Sequence, residues 1–153
     1  MKFKFLLFII IFNLFSCSKN NMVSPRIQQD LSIKEFPQKW ELFKMSIGMQ
    51  ADSELTGEDM RYQENYIFES DSTFSKTRIQ DSTETIVRGT YSIKNQNDEQ
   101  LILLTFYEEN SLIGNCSTEP VEYLNLHLDT QTLFSNWWAC DGPGLYYKQV
   151  SLE

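Results

Sequence analysis

The chain has 153 residues, with 13 Lys or Arg, 21 Asp or Glu and one His, and its formal net charge is −8 at pH 7. A surface of this sign repels the phosphates of nucleic acids and anionic lipid headgroups, which excludes nucleic-acid partners and membrane attachment through basic residues. The length suits one domain built around one hydrophobic core.

The amino terminus has the pattern of an export signal. Lys2 and Lys4 precede an apolar segment over residues 5–15. About 11 apolar residues are too few for a membrane-spanning helix, which needs about 20. Residues 14–17, Leu-Phe-Ser-Cys, resemble the lipobox of bacterial lipoproteins. The resemblance implies that Cys17 begins the mature chain and carries acyl groups that anchor it to a membrane. The alternative is an ordinary secretory signal with Cys17 as a free thiol.

The predicted organisation follows from this cleavage position. It consists of a signal peptide over 1–16, a lipidated amino terminus with a flexible tether over 17–35, and a folded domain over 36–153. Removing the signal lowers Lys plus Arg from 13 to 11 against 21 Asp plus Glu, so attachment depends on the lipid. The expected location is the bacterial cell envelope, on the periplasmic face or the cell surface, with the outer membrane preferred. A short cap formed by Leu31, Ile33 and Phe36 is the alternative to a tether there.

From residue 36 onward, strand-like runs alternate with turn residues. The runs predict eight strands, over residues 39–49, 61–70, 73–80, 84–93, 101–108, 121–129, 132–139 and 145–151. Most links are short, which favours antiparallel neighbours in chain order. Closing such a sheet removes its exposed edges, so the predicted fold is all-β, a single eight-stranded antiparallel up-and-down barrel. The interior of such a barrel is filled by side chains or holds one small ligand.

Four segments of the predicted barrel carry a family resemblance. They are KWEL (39–42), GEDMRYQENYIFESDSTFSKTR (57–78), GTYSI (89–93) and ACDGPGLYYK (139–148). Together they resemble the lipocalin-like lipoproteins of Bacteroidetes-type bacteria, over residues 38–150. Lipocalins open with Gly-x-Trp and pack the Trp under a basic residue of the last strand. Trp40 stands here without the Gly and Lys148 is the basic candidate, so the resemblance implies a cation–π contact between them.

Cys116 and Cys140 are expected to form a disulfide, because exported proteins fold in an oxidising compartment. With a two-residue turn at positions 130–131, Cys140 lies opposite Val121, five residues after Cys116. Folding the loop back then brings the sulfurs together at one barrel end. The chain-entropy model gives this disulfide about 3–4 kcal/mol of stabilisation. Neither a Cys-x-x-Cys pair nor further ligands support a redox or metal role.

No catalytic motif supports an enzyme. His127 is the one histidine, and Leu124, Leu126 and Leu128 form the opposite, core-facing side of its strand. His127 is therefore expected to face solvent or a polar rim. Without a nucleophile elbow, a Ser-His-Asp site is not supported. Neither a cofactor nor a metal is expected, since the acidic pairs lack the spacing of a calcium-binding loop.

The candidate ligand site is a set of aromatic side chains whose strand faces converge inside the predicted barrel. The set is Trp40, Tyr62, Tyr66, Phe68, Tyr91, Trp137 and Tyr147. Such rings provide apolar walls with a few polar groups, as small-molecule pockets do, but the same rings can also simply fill a core. The leading hypothesis is a lipid-anchored barrel that binds or sequesters a small hydrophobic molecule. The alternative is a filled barrel whose loops, over 51–60 and 109–119, act on an envelope protein partner.

Overall fold

The computed structural model describes residues 30–32, 35–47 and 54–152. The predicted signal peptide, Cys17 and most of the predicted tether lie outside these residues. The described part contains nine strands: β1 (Gln38–Ser46), β2 (Glu54–Thr56), β3 (Gln63–Phe68), β4 (Thr73–Gln80), β5 (Thr83–Gln96), β6 (Glu99–Phe106), β7 (Val121–His127), β8 (Thr132–Ser135) and β9 (Gly144–Val150). Short 3-10 helices cover Gly57–Asp59 and Trp137–Cys140.

Eight of these strands close into a barrel. Neighbours follow the chain in the order β1, β3, β4, β5, β6, β7, β8, β9, and β9 pairs back with β1. Trp40 of β1 thus has Tyr66 of β3 on one side and Gln149 of β9 on the other. The prediction of an all-β, eight-stranded antiparallel up-and-down barrel is confirmed. β2, which lies in a predicted loop, is an addition that pairs with the last three residues of β1.

Alternation along each strand separates the interior of the barrel from its outer surface. In β7 the side chains of Leu124 and Leu126 are fully buried. The side chain of His127 is 43% exposed. Successive residues of a strand point to opposite faces, so the leucine face lines the interior. The prediction that His127 lies at the solvent-facing side is confirmed.

The two barrel ends are covered by different segments. The end where β1 begins, which we call the N-terminal end, carries the turns β3–β4, β5–β6 and β7–β8. Leu31 reaches this end and is 1% exposed within the core. Ser32 Oγ accepts a hydrogen bond from Gln131 Nε2 at 3.0 Å. The predicted tether is therefore wrong at Leu31, because its side chain fills the barrel end as a cap.

The opposite end, which we call the loop end, carries the β4–β5 turn and the connections over 107–120 and 136–143. The Trp137 ring lies between two glycines of these connections. A Cβ on Gly114 would lie 2.9 Å from this ring, and a Cβ on Gly142 would lie 2.5 Å from it. Both positions therefore need glycine for the connections to close over the barrel.

A disulfide joins the two connections of the loop end. Cys116 and Cys140 are bonded, with their Cα atoms 5.6 Å apart, which confirms the predicted pairing. The register used to predict it is wrong. His127 pairs with Thr132, so residues 128–131 form a four-residue turn. Cys140 lies in a 3-10 helix after β8 rather than opposite Val121.

Candidate functional site in the barrel interior

The predicted aromatic side chains do converge inside the barrel. Trp40, Tyr66, Phe68, Tyr91 and Tyr147 are buried, and Tyr62 and Trp137 are partly buried against the same core. The rings contact one another. Tyr66 lies 5.1 Å from Tyr147 and 5.9 Å from Phe68, and Phe68 lies 5.0 Å from Tyr91, as distances between ring centroids. Edge-to-face and offset contacts of this kind are core packing, so these rings fill the space that they were predicted to enclose.

Trp40 is held by its neighbours rather than by a lysine. Its indole Nε1 donates a hydrogen bond to Gln38 Oε1 at 3.2 Å, and its side chain is fully buried. Lys148 is exposed, because it follows the inward-facing Tyr147 on β9 and so points outward. The predicted cation–π contact between Lys148 and Trp40 is therefore wrong.

Four charged side chains lie in the barrel interior toward the loop end and form what we call the ion cluster: Glu64, Lys76, Arg78 and Glu122. None is more than 9% exposed. Lys76 Nζ lies 2.9 Å and 3.1 Å from the two carboxylate oxygens of Glu122 and 3.4 Å from Glu64 Oε1. Arg78 Nε donates to Glu64 Oε2 at 2.6 Å. Each buried charge thus has a partner of opposite sign, as burial requires.

Two tyrosine hydroxyls complete the hydrogen bonds of the buried carboxylates. Tyr66 Oη donates to Glu122 Oε1 at 2.9 Å, and Tyr147 Oη donates to Glu64 Oε1 at 2.6 Å. These two aromatic residues, predicted as ligand walls, are therefore committed to the ion cluster. Neutral phenols are the form that can donate these bonds.

Burial shifts the pKa values of three of these groups. It raises the pKa of Tyr66 and of Tyr147 well above the usual value, and the neighbouring carboxylates raise it further. Burial also raises the pKa of Glu122, while Lys76 acts in the opposite direction. Lys76 Nζ donates as well to the carbonyl of Leu112 at 2.7 Å, which joins the 107–120 connection to the ion cluster.

The charges of the ion cluster cancel. Lys76 and Arg78 are matched by Glu64 and Glu122, and the Tyr62 ring lies 3.9 Å from the Arg78 guanidinium. At Lys76 an anionic ligand would have to displace a carboxylate that already contacts this cation, whereas Arg78 also lines an open cleft. The arrangement therefore has the character of a structural network and not of an open anion site.

The ion cluster was missed in the sequence, although a signal for it exists. Glu64 lies two residues from both Tyr62 and Tyr66, and Glu122 lies two residues from Leu124. Because a strand repeats every two residues, both carboxylates share a face with core residues. Applying the two-residue repeat to every residue of these strands would have placed both carboxylates inside the barrel.

Five clefts open at the surface of the described residues. One cleft of about 400 Å³, which we call the rim cleft, is lined by residues including Arg78, Thr83, Thr85, Ser111 and Leu112. A second cleft of about 270 Å³, which we call the outer cleft, is lined by residues including Ile86, Val87, Arg88, Tyr107 and Glu108. Three further clefts line the outer face and the connections of the loop end. None of these five contains a residue of the predicted aromatic set.

His127 takes part in a surface contact. Its Nδ1 lies 2.9 Å from Glu99 Oε1, and its ring stacks on Phe134 with centroids 4.6 Å apart. Among the described residues, no group of three or more His, Cys, Asp or Glu side chains is placed to hold a metal ion. The same residues contain no helix with the length and apolarity to cross a bilayer.

Comparison with known proteins gave no match: no protein-family model, no curated protein sequence and no solved structure matches this chain.

Proposed function

We propose that this chain is a lipid-anchored envelope lipoprotein whose barrel is a protein-interaction module that binds its partner at the loop end. The anchor rests on the apolar segment that leads to Cys17. The interaction role rests on the filled interior and on the surface of the loop end.

The observation that carries the proposal is the position of the exposed apolar side chains. Of six large ones among the described residues, Leu152 follows β9 at the N-terminal end, and five lie at the loop end: Ile79, Ile86, Tyr107, Tyr123 and Trp138. Tyr107 is 63% exposed and Trp138 is 59% exposed. Aromatic side chains are enriched in protein interfaces, and exposed apolar patches mark interaction sites. The loop end therefore has the composition of a surface that binds another protein.

The position of the attachment point also supports a partner site at the loop end. Leu31 enters the barrel at the N-terminal end. The roughly 13 residues between Cys17 and Asp30 span at most about 43 Å when extended. An anchored barrel would then be held by its N-terminal end, which leaves the loop end free to contact other envelope proteins.

The hypothesis of an apolar ligand inside the barrel has less support. Such a site needs unoccupied apolar volume, but the predicted ligand walls contact one another, and two of them hydrogen-bond to buried carboxylates. The rim cleft is lined largely by hydroxyl and charged side chains, which suits a polar group.

Site-specific photo-crosslinking in the native host tests the proposal. A photoreactive residue replaces Trp138 at the loop end, and the matched control replaces Asn97, an exposed residue in the turn at the N-terminal end. We expect one discrete protein adduct from position 138 and none from position 97. The adduct from position 138 should disappear when Tyr107 is changed to Asp.

A ligand titration provides the opposing test. A dansylated fatty acid is added to the Cys17→Ser chain and its fluorescence is followed to saturation. The proposal expects no saturable binding at one probe per chain. Stoichiometric binding that is lost in Tyr66→Ala, together with the absence of a position-specific crosslink, would replace it with the ligand-binding hypothesis.

A further inference from the structure

Part of β5 is a strand edge without a neighbouring strand. β4 pairs with β5 from Thr83 onward, but β6 pairs with it only from Gly89, which lies opposite Phe106. Between Thr83 and Val87, β5 therefore has a strand on one side only among the described residues. An uncovered edge of this kind is a template for pairing with another extended chain.

The main-chain groups that face this open side can be identified from two hydrogen bonds. The carbonyl of Arg88 accepts from Tyr107 N at 3.1 Å, on the side of β6. Tyr91 N donates to the carbonyl of Ser72, on the side of β4. Because an antiparallel strand alternates its hydrogen-bonding side from residue to residue, the N–H and C=O groups of Glu84 and Ile86 face the open side.

A cleft lies on each face of the open edge. The outer cleft is lined by the apolar side chains of Ile86, Val87 and Tyr107 and by the polar or charged ones of Arg88, Glu108 and Asn110. The rim cleft includes Thr83 and Thr85 of the same strand. Alternate side chains of a strand point to opposite faces. A strand added at this edge would therefore place one side chain beside the exposed apolar side chains of Ile86 and Tyr107 and the next among hydroxyl groups.

We propose that the edge at Glu84 and Ile86 binds an extended segment of a partner protein by β-strand addition. The recognised segment alternates an apolar side chain, which lies in the outer cleft, with an uncharged hydrogen-bonding side chain, which lies in the rim cleft. Main-chain donors and acceptors at strand spacing are complementary to a peptide backbone. The proposal rests on the proposed function and names the binding mode at the loop end.

A second copy of this chain fits the edge less well. The mature chain has 11 Lys or Arg against 21 Asp or Glu once Lys2 and Lys4 are removed with the signal. Two copies would therefore bring together surfaces with the same large negative charge.

The test uses the processed full-length chain in detergent and a random peptide library displayed on phage. A peptide from the enriched pool is synthesised, and hydrogen exchange of the protein is measured with and without it. We expect enrichment of peptides that alternate apolar and polar residues, and slower exchange at the amides of Glu84 and Ile86. Exchange at the exposed Asn97 should not change.

Substitutions separate strand addition from a side-chain contact. Ile86→Pro removes the outward N–H and should lower peptide affinity by about tenfold, as expected for one or more main-chain hydrogen bonds, whereas Ile86→Val should leave it within about twofold. Leu152→Ala is the matched control, because Leu152 is 44% exposed and Ile86 is 45% exposed, but Leu152 follows β9 at the N-terminal end, so peptide affinity should not change.

The hydrogen-exchange measurement decides the outcome even if Ile86→Pro does not fold, because it uses the unchanged chain. Protection confined to other residues, or no enriched peptide, overturns the proposal. Concentration-dependent protection of Glu84 and Ile86 without peptide also overturns it and identifies a second copy as the occupant. A crosslink from position 138 without protection at the edge would leave the proposed function standing and reject this binding mode.

Discussion

Replacing the buried Lys76 with Met should destabilise the protein more than almost any other substitution of a single charged residue. Lys76 Nζ contacts both carboxylates of the ion cluster and the Leu112 carbonyl. After the substitution Glu64 still has its ion pair with Arg78. Glu122 retains the hydrogen bond from the Tyr66 hydroxyl but loses its ion pair. A buried carboxylate is then left without a cation.

The expected loss is about 3–5 kcal/mol, which is the usual cost of removing one partner from a buried ion pair. That is a large share of the 5–15 kcal/mol that typically stabilises a domain. Changing Glu122 to Gln in the same chain removes the unpaired charge, so the double variant should recover at least about half of the loss. The two substitutions are therefore expected to be strongly non-additive.

Urea unfolding of the Cys17→Ser chain, followed by tryptophan fluorescence and circular dichroism, measures these free energies. Lys44→Met is the control, because the ion pair of Lys44 with Glu54 is partly exposed and should contribute at most about 1 kcal/mol. A loss below about 1 kcal/mol for Lys76→Met, or simple additivity in the double variant, would refute the reasoning.

The pH dependence of the Lys76→Met variant gives an independent check. Burial already raises the pKa of Glu122, and Lys76 is the group that opposes this shift. Without Lys76 the folded-state pKa should rise further above the unfolded value. A group with a raised folded pKa contributes stability at low pH that is lost as the pH rises through that pKa. The difference in the free energy of unfolding between the variant and the parent chain should therefore be smaller at pH 5 than at pH 8.

Three further predictions concern the disulfide, the tyrosines and the anchor. Changing Cys116 and Cys140 together to Ala should lower the free energy of unfolding by about 3–4 kcal/mol in the same urea assay, and a loss below about 1 kcal/mol would contradict the role of the disulfide. Tyr62, Tyr66, Tyr91 and Tyr147 have raised pKa values, so stability should fall by about 5.4 kcal/mol per pH unit once the pH is well above the unfolded value near 10; no loss between pH 10 and 11 in thermal unfolding would argue against their burial. Cys17→Ser should move the protein from the membrane fraction to the soluble fraction after cell breakage, and continued membrane association would reject lipidation.

Most of the strand pattern could be predicted from the sequence, because alternation and turn residues are local. β4 spans Thr73–Gln80, which are the predicted bounds. β8 is shorter than predicted and ends at Ser135. Its predicted second half folds instead as the 3-10 helix Trp137–Cys140, which the disulfide to Cys116 joins to the 107–120 connection. A long-range covalent link of this kind overrides the strand preference of two tryptophans.

The content of the barrel interior could be predicted only in part. The aromatic residues were placed inside because alternation shows which side of a strand they occupy. The partners of the buried charges are not local. Glu64 and Arg78 are cross-strand neighbours in β3 and β4, but Lys76 of β4 meets Glu122 of β7 across the interior. That contact depends on closure of the whole barrel, so no short pattern encodes it.

The central claim is that the barrel is filled by its own side chains and acts from its surface. Native mass spectrometry of the protein purified from its own host tests this claim most directly. The account predicts the mass of the processed, disulfide-bonded and acylated chain without a bound small molecule. A stoichiometric small-molecule adduct that disappears in both Tyr66→Ala and Tyr147→Ala would contradict it.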